Sequence, residues 1–340
     1  MSNRIQYIDA LRALAIFLVV IGHIYLFGFG YYGADYGSSY CQYIYQFHMP
    51  LFFFISGFVL YKENKSWGIR ELKKVAVSKF SSLVVAPMIF MVFVSYLYGH
   101  TIADTFSDPS KYGYWFTFTL YAFLLLNATI LLLVSKLGIN KWGGVILLTI
   151  SLALYIAISI HIPSKLGISD VAMGYLGLNH LRYFLYFAMG YAIRSYEVHV
   201  ERYADVVLAF CIVAYIVINT FATSIAGFSS LFFALLSSTI PVYIIYRVFR
   251  INGEYFNQHS KLNSFIQLLG KRTLDIYFIH YIFIYSNLNN FLPNFQSIDS
   301  PFIEFAYAAF GALIIIIASL AVSQLFRSSR LLARYLFGSK

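Results

Sequence analysis

Apolar residues in this chain run in long blocks, without the alternation of a half-buried strand or the narrow stripe of a soluble helix. The blocks are Ile8–Gly28, Gln42–Tyr61, Phe80–Tyr98, Tyr114–Ser135, Trp142–Ile162, Asn179–Tyr196, Asp205–Thr223, Ser229–Phe249, Thr273–Phe291 and Phe302–Phe326. Each is about 20 residues long, the length a helix needs to cross roughly 30 Å of hydrocarbon. The pattern predicts an all-α membrane protein of about ten transmembrane helices, one integral domain over 1–340 with no room for a soluble one. The first block exceeds the 7–15 residues of a signal-peptide core and has no small-residue cleavage site after it, so it reads as a retained span. Two connections are longer than the rest. Lys62–Lys79 reads as a loop, and Arg250–Lys271 as an amphipathic helix in the interface, with Leu262, Phe265, Ile266 and Leu269 on one stripe.

Composition agrees. Hydrophobic residues make up 60% and charged residues 11%, against about 25% charged in soluble domains. Thirty tyrosines suit helix ends at headgroup level. The net charge of +10 is explained by its distribution. With the N-terminus inside, all basic residues except Lys111, Lys165 and Arg182 fall on inner segments, which is the positive-inside pattern. Both termini are then cytoplasmic and the span number is even. Insertion topology and anionic lipid account for these charges, so membrane lipids are the expected surroundings and nucleic acid is not an expected partner. Cys41 and Cys211 fall at different depths, which argues against a disulfide, and no metal-ligand spacing exists.

Ionisable groups inside a bilayer cost roughly 2.5–3.5 kcal/mol each on insertion scales and need a partner or a purpose. The first span carries Asp9, Arg12 and His23. Eleven helical steps separate Arg12 from His23 and return to within about 20° of the same face, so this helix faces a protein interior or a hydrated cavity. His48, on the next, antiparallel span, falls within a few ångströms of the depth of His23. Two imidazoles at one level fit proton-transfer chemistry. Plainer readings stand beside this one. His23 can bridge helices, His48 can satisfy backbone freed by Pro50, and His280, near mid-membrane, can be structural. Arg182 and Glu304, near outer helix ends, can pair or snorkel. HExxH, P-loop and GxSxG motifs are absent.

Several stretches carry a family resemblance. Tyr7-Ile-Asp-Ala-Leu-Arg-Ala-Leu-Ala-Ile with Val19-Val-Ile-Gly-His23 resembles the opening of the membrane acyltransferase-3 family. Phe47-His-Met-Pro-Leu-Phe-Phe-Phe-Ile-Ser-Gly57 resembles its sugar O-acetyltransferase branch, which includes fucose acetylases and enterobacterial common antigen acetylases. Trp115-Phe116, Phe184-Leu-Tyr-Phe-Ala-Met-Gly190 and Leu269-Gly-Lys-Arg-Thr-Leu-Asp-Ile-Tyr-Phe-Ile-His280 follow in family order. The resemblance implies a ten-helix fold in a bacterial inner membrane, with acetyl groups taken from cytoplasmic acetyl-CoA and delivered to a glycan hydroxyl outside. Acetyl-CoA, or another acyl-CoA, is then a co-substrate, and no bound cofactor is implied.

By the same resemblance His23 is the catalytic residue, His48 a second active-site residue, and Asp9 and Arg12 the inner-end motif of the first helix. Arg182, Glu304 and His280 are candidates for substrate or oxyanion contacts. Many members open the third span with Arg-x-x-Arg before a proline. Here Lys79-x-x-Ser82 precedes Pro87, and Arg70, Lys73 and Lys74 are the neighbouring cations that can meet CoA phosphates together with Lys79. The esterase-like domain fused to some relatives is not expected. The rival reading is a transporter or flippase of a glycan or its lipid-linked precursor. A non-catalytic scaffold leaves the polar stripe of the first helix unexplained.

Overall fold

The structure, a computed structural model, describes residues 4–29, 40–63, 65–221, 230–284 and 300–338. Its main helices are α1 (Gln6–His23), α2 (Cys41–Leu60), α3 (Ile69–Leu97), α4 (Trp115–Lys136), α5 (Gly143–Ser159), α6 (Phe184–Ser195), α7 (Glu197–Phe221), α8 (Ser230–Ile251), α9 (Lys261–Lys271), α10 (Thr273–Ile284), α11 (Pro301–Ser328) and α12 (Arg330–Phe337). No strand occurs among the described residues. Eight helices, α1 to α5 with α7, α8 and α11, are long and apolar enough to cross a membrane.

Lipid is the only surrounding that suits their outer faces. On α7, Val206 and Phe210 are 74% and 73% exposed, with no polar face to compensate. On α11, Phe310, Ile314, Ile317 and Leu325 point outward. Glu304, Ala308, Ala312, Ile316, Ser319 and Ser323 form the buried stripe of the same helix. Small residues on the inner stripe let neighbouring backbones approach where no hydrophobic effect drives helix association. The chain is a multi-pass, all-helical membrane protein.

Two expectations change. The segment Lys62–Lys79 is a loop only as far as Gly68, whose extended backbone caps a helix from Ile69 that runs on into the third span. Glu71 in its first turn and the run of good helix formers explain this, because helix propensity does not depend on apolarity. The expected span Asn179–Tyr196 is divided. Leu178–Tyr183 forms a 3₁₀ turn entered from Gly177 in the left-handed region (φ 66°), and α6 has only 12 residues, about 18 Å. The expected span Thr273–Phe291 is helical over its described residues, Thr273–Ile284. Its remaining residues, like Ala222, Thr223, Ser229 and Lys340, lie outside the described residues.

The chain forms two compact units. One comprises Met1–Phe52 and Ala204–Ser328, the other Phe53–Tyr203 and Ser329–Lys340. In the first, α9 packs along α1, mainly through residues beside its apolar stripe. Its buried positions are Asn263, Gln267, Leu269 and Gly270, while Leu262 is 57% exposed. The amides are buried because the backbone there needs donors: Gln267 donates to the Gln6 carbonyl (3.0 Å), and Asn263 to those of Tyr255 (2.7 Å) and Gln258 (3.0 Å). Gly270 lies so close that a Cβ would sit 2.0 Å from the Asp9 carbonyl oxygen.

In the second unit, α2 and α6 cross through a reciprocal glycine pair. A Cβ on Gly57 would lie 1.9 Å from the Phe187 carbonyl oxygen, and one on Gly190 1.9 Å from that of Phe54. Around the crossing, Phe53 packs on Phe116 and Phe123 at ring separations of 4.9 and 5.0 Å. The C-terminal α12 is seated by Phe337 against Phe90.

Candidate active site

The first helix joins two polar clusters in the first unit. At its N-terminal end Asp9 is 1% exposed and receives Arg4, through both Nε and Nη2, and Arg12 Nη1 at 3.0 Å. The expected Asp9–Arg12 motif is therefore an ion pair one helical turn apart, in place beside the Gly270 contact. A companion cluster surrounds Asp275 on α10, which sequence reasoning missed. Arg327 binds it through Nε (2.7 Å) and Nη2 (2.8 Å), Arg272 through Nη1 (3.2 Å), and Ser323 Oγ donates at 2.5 Å. Its signal was legible: an aspartate within the Leu269–His280 motif, five residues before a histidine. Arg250, also within this unit, reaches the hydroxyls of Tyr7 and Tyr246, both at 3.2 Å.

Fourteen residues after Asp9, about 21 Å along the helix axis, stands His23. Here α1 widens into a π-helix over Ile24–Gly28, a distortion frequent at functional sites. The partner of His23 is His280. His23 Nδ1 lies 2.8 Å from His280 Nε2, with the rings 5.1 Å apart and within 8° of parallel. His280 Nδ1 lies 3.0 Å from the Ile276 carbonyl, one turn back on α10. A carbonyl can only accept, so His280 Nδ1 carries the hydrogen. With both rings neutral, His280 Nε2 is bare and His23 Nδ1 must donate to it. The remaining nitrogen, His23 Nε2, then presents its lone pair. The Tyr281 hydroxyl, at 3.4 Å, faces that lone pair, and the Tyr281 ring packs 5.0 Å from His23 and 4.1 Å from His280.

His48 is the third imidazole of the cluster, near enough to His23 for electrostatic coupling. Its Nδ1 donates to the Ile44 carbonyl at 2.7 Å, not to the Gln46 carbonyl that Pro50 leaves without its helical donor. Its ring meets Tyr45 edge-on at 4.9 Å. Tyr45 in turn donates to the Gly22 carbonyl (3.0 Å), with its ring against Gly22, where a Cβ would already touch it at 3.0 Å. Gly22 thus seats Tyr45 of α2, and Tyr45 in turn packs on His48. The pairing of His23 with His280 was hidden from sequence because the two are 257 positions apart.

Glu304 is buried in the first unit beside Tyr25 and Cys41. Arg182, in the second unit, is exposed on the 3₁₀ turn with its guanidinium 5.1 Å from the Tyr183 ring. Next to it His180 stacks on Trp115 at 4.0 Å. Arg70, Lys73, Lys74 and Lys79 are all exposed on the first turns of α3. Arg70, Lys73 and Lys74 share a face, whereas Lys79, nine residues after Arg70, projects from the opposite one. Cys41 and Cys211 are not joined in a disulfide. No group of three metal-ligating side chains occurs among the described residues.

A histidine with a presented lone pair, backed by a second fixed histidine, is the arrangement of a general base. Comparison with known families agrees in kind: residues 5–324 match the model of the acyltransferase domain Acyl_transf_3. The chain belongs to that acyltransferase family, and it is a membrane acyltransferase. No curated protein and no solved structure matches it.

Proposed function

We propose that this protein transfers an acetyl group from cytoplasmic acetyl-CoA to a hydroxyl of a cell-surface or secreted glycan, in a bacterial inner membrane with both termini cytoplasmic. The observation that carries the reading is the His23–His280 pair, whose bond pattern leaves His23 Nε2 presenting its lone pair. In the reaction the acceptor O–H gives its proton to His23 Nε2 as its oxygen attacks the thioester carbonyl carbon. The tetrahedral oxyanion collapses, the C–S bond breaks, and the departing thiolate takes the proton back from Nε2. The products are the O-acetyl ester and free CoA thiol. The Tyr281 hydroxyl, which faces Nε2 at rest, is released when the acceptor arrives and turns its hydrogen to the oxyanion.

The test compares a strain carrying His23→Ala with wild type by NMR of the exported polymer. A normal amount of glycan lacking O-acetyl groups is expected. Reduced export with acetylation of the remainder intact would instead favour transport.

The three cations on one face of α3 supply the donor end, since CoA phosphates need only convergent positive charge. Arg70→Ala with Lys74→Ala is expected to raise KM for acetyl-CoA by about tenfold at low salt, roughly 1.4 kcal/mol, with kcat little changed. The effect should shrink as salt screens the charges. A KM for acetyl-CoA unchanged in that double variant would remove these residues from the donor site.

A further inference from the structure

We infer that His280 is the positioning residue of the reaction: it holds His23 in the Nδ1–H tautomer and steadies the imidazolium that forms when Nε2 takes the acceptor proton. The inference rests on the reading of His23 as the base. It goes beyond that reading by giving the second histidine a role without substrate contact.

Four constraints hold the ring of His280. It is 0% exposed. Its Nδ1 is committed to the Ile276 carbonyl. The Tyr281 ring packs on it at 4.1 Å and the Tyr277 ring lies 6.0 Å away. Its Nε2 is directed at His23 Nδ1 in a near-coplanar pair of rings. A side chain merely filling space between helices needs none of this directionality. The chain of donors runs one way, from His23 Nδ1 to His280 Nε2 and from His280 Nδ1 to the backbone. Reversing it would leave the Ile276 carbonyl facing the lone pair of His280 Nδ1.

When His23 becomes an imidazolium, its Nδ1–H becomes a stronger donor, and the waiting Nε2 of His280 stabilises the charge through a charge-assisted hydrogen bond. The Ile276 carbonyl dipole, acting through His280 Nδ1–H, raises the electron density on that acceptor. A catalytic triad does the same with a buried carboxylate. Here the orienting group is neutral, so the gain is smaller and no net negative charge is buried among the aromatic rings.

The test uses the full chain in phospholipid vesicles, with acetyl-CoA as donor and glycan extracted from a strain lacking the gene as acceptor, read by release of CoA thiol. His280→Phe keeps a flat ring and removes the acceptor; kcat is expected to fall about 100-fold with KM for acetyl-CoA within about threefold. His280→Gln restores an acceptor oxygen for His23 Nδ1–H and should recover activity to within about tenfold of wild type. Wild-type turnover in a folded Phe variant overturns the inference, and so does equal loss in folded Phe and Gln variants.

If the Phe variant does not fold, nitrogen NMR of histidine-labelled wild-type chain decides. A protonated Nδ1 and bare Nε2 on His23 are expected, assigned with His23→Ala, and the opposite tautomer overturns the role. Retained activity in His23→Ala would refute the base itself, an outcome separate from the tautomer signal.

Discussion

Replacing Gly190 by alanine is expected to remove most folded protein from the membrane, although helix propensity alone favours the change by about 1 kcal/mol. The added Cβ would stand 1.9 Å from the Phe54 carbonyl oxygen, 2.8 Å from its carbon and 2.9 Å from the Phe58 nitrogen. All three are backbone atoms of a helix, so no side chain can swing aside, and α2 and α6 must separate. Overpacking in a dense interior costs about 1–3 kcal/mol, occasionally more. Parting two helices along a crossing also forfeits the dispersion contacts that hold membrane helices together. The steric term therefore outweighs propensity.

Gly57→Ala meets the Phe187 carbonyl at the same 1.9 Å and should behave alike. Because either change opens the same crossing, the double variant should cost less than the sum. Gly311→Ala is the control, since its nearest neighbour is the flexible Ile24 Cδ1 at 3.5 Å. Yield and melting of detergent-purified protein read all four. A Gly190→Ala protein that melts like wild type would refute the close crossing.

The second large effect is expected at Asp275. Alanine there strips Arg327 of two hydrogen bonds and Arg272 of one, and leaves Ser323 without its acceptor. Breaking a buried ion pair from one side costs about 3–5 kcal/mol, because the abandoned charge remains desolvated. Asn keeps the shape and one acceptor and should cost about half as much by the same reasoning. Removing the cation as well, as Asp275→Ala with Arg327→Met, should recover part of the loss. Thermal melting of the three variants checks the order. Equal stability of Asp275→Ala and wild type would show that the cluster contributes nothing.

Much of this architecture was legible in the chain because lipid imposes a simple rule of length and apolarity. The first five spans fall where their apolar blocks lie. The rule fails where charge and helix coincide. Ile69–Phe80 is helical yet carries Arg70, Glu71, Lys73, Lys74 and Lys79, so hydropathy alone reads it as a loop. It also fails at Gly177, where a left-handed residue starts a 3₁₀ turn that an average over 20 residues cannot register. At the site, Asp9, Arg12 and His23 stand on one helix, as their apolar block implies, and Asp9 meets Arg12 one turn on. Helical periodicity had no means of pairing His23 with a histidine on α10, or Asp275 with Arg327, since neither pair lies on one helix. On α9 hydrophobicity marks the apolar stripe but not the side that packs on α1, because that side is chosen by backbone carbonyls needing donors.

The widened turn after His23 makes the first helix a jointed rod. An α-helix advances 100° per residue, and the wider turn over Ile24–Gly28 advances by less at each of its residues. Tyr25 and Phe27, inside that turn, are therefore aimed differently from the side chains of the regular helix that bears Asp9, Arg12 and His23. Losing or gaining a single residue in that turn re-aims the aromatic lining while the histidine stays seated, so length variation at this joint gives a way of reshaping the neighbourhood of the base without rebuilding it.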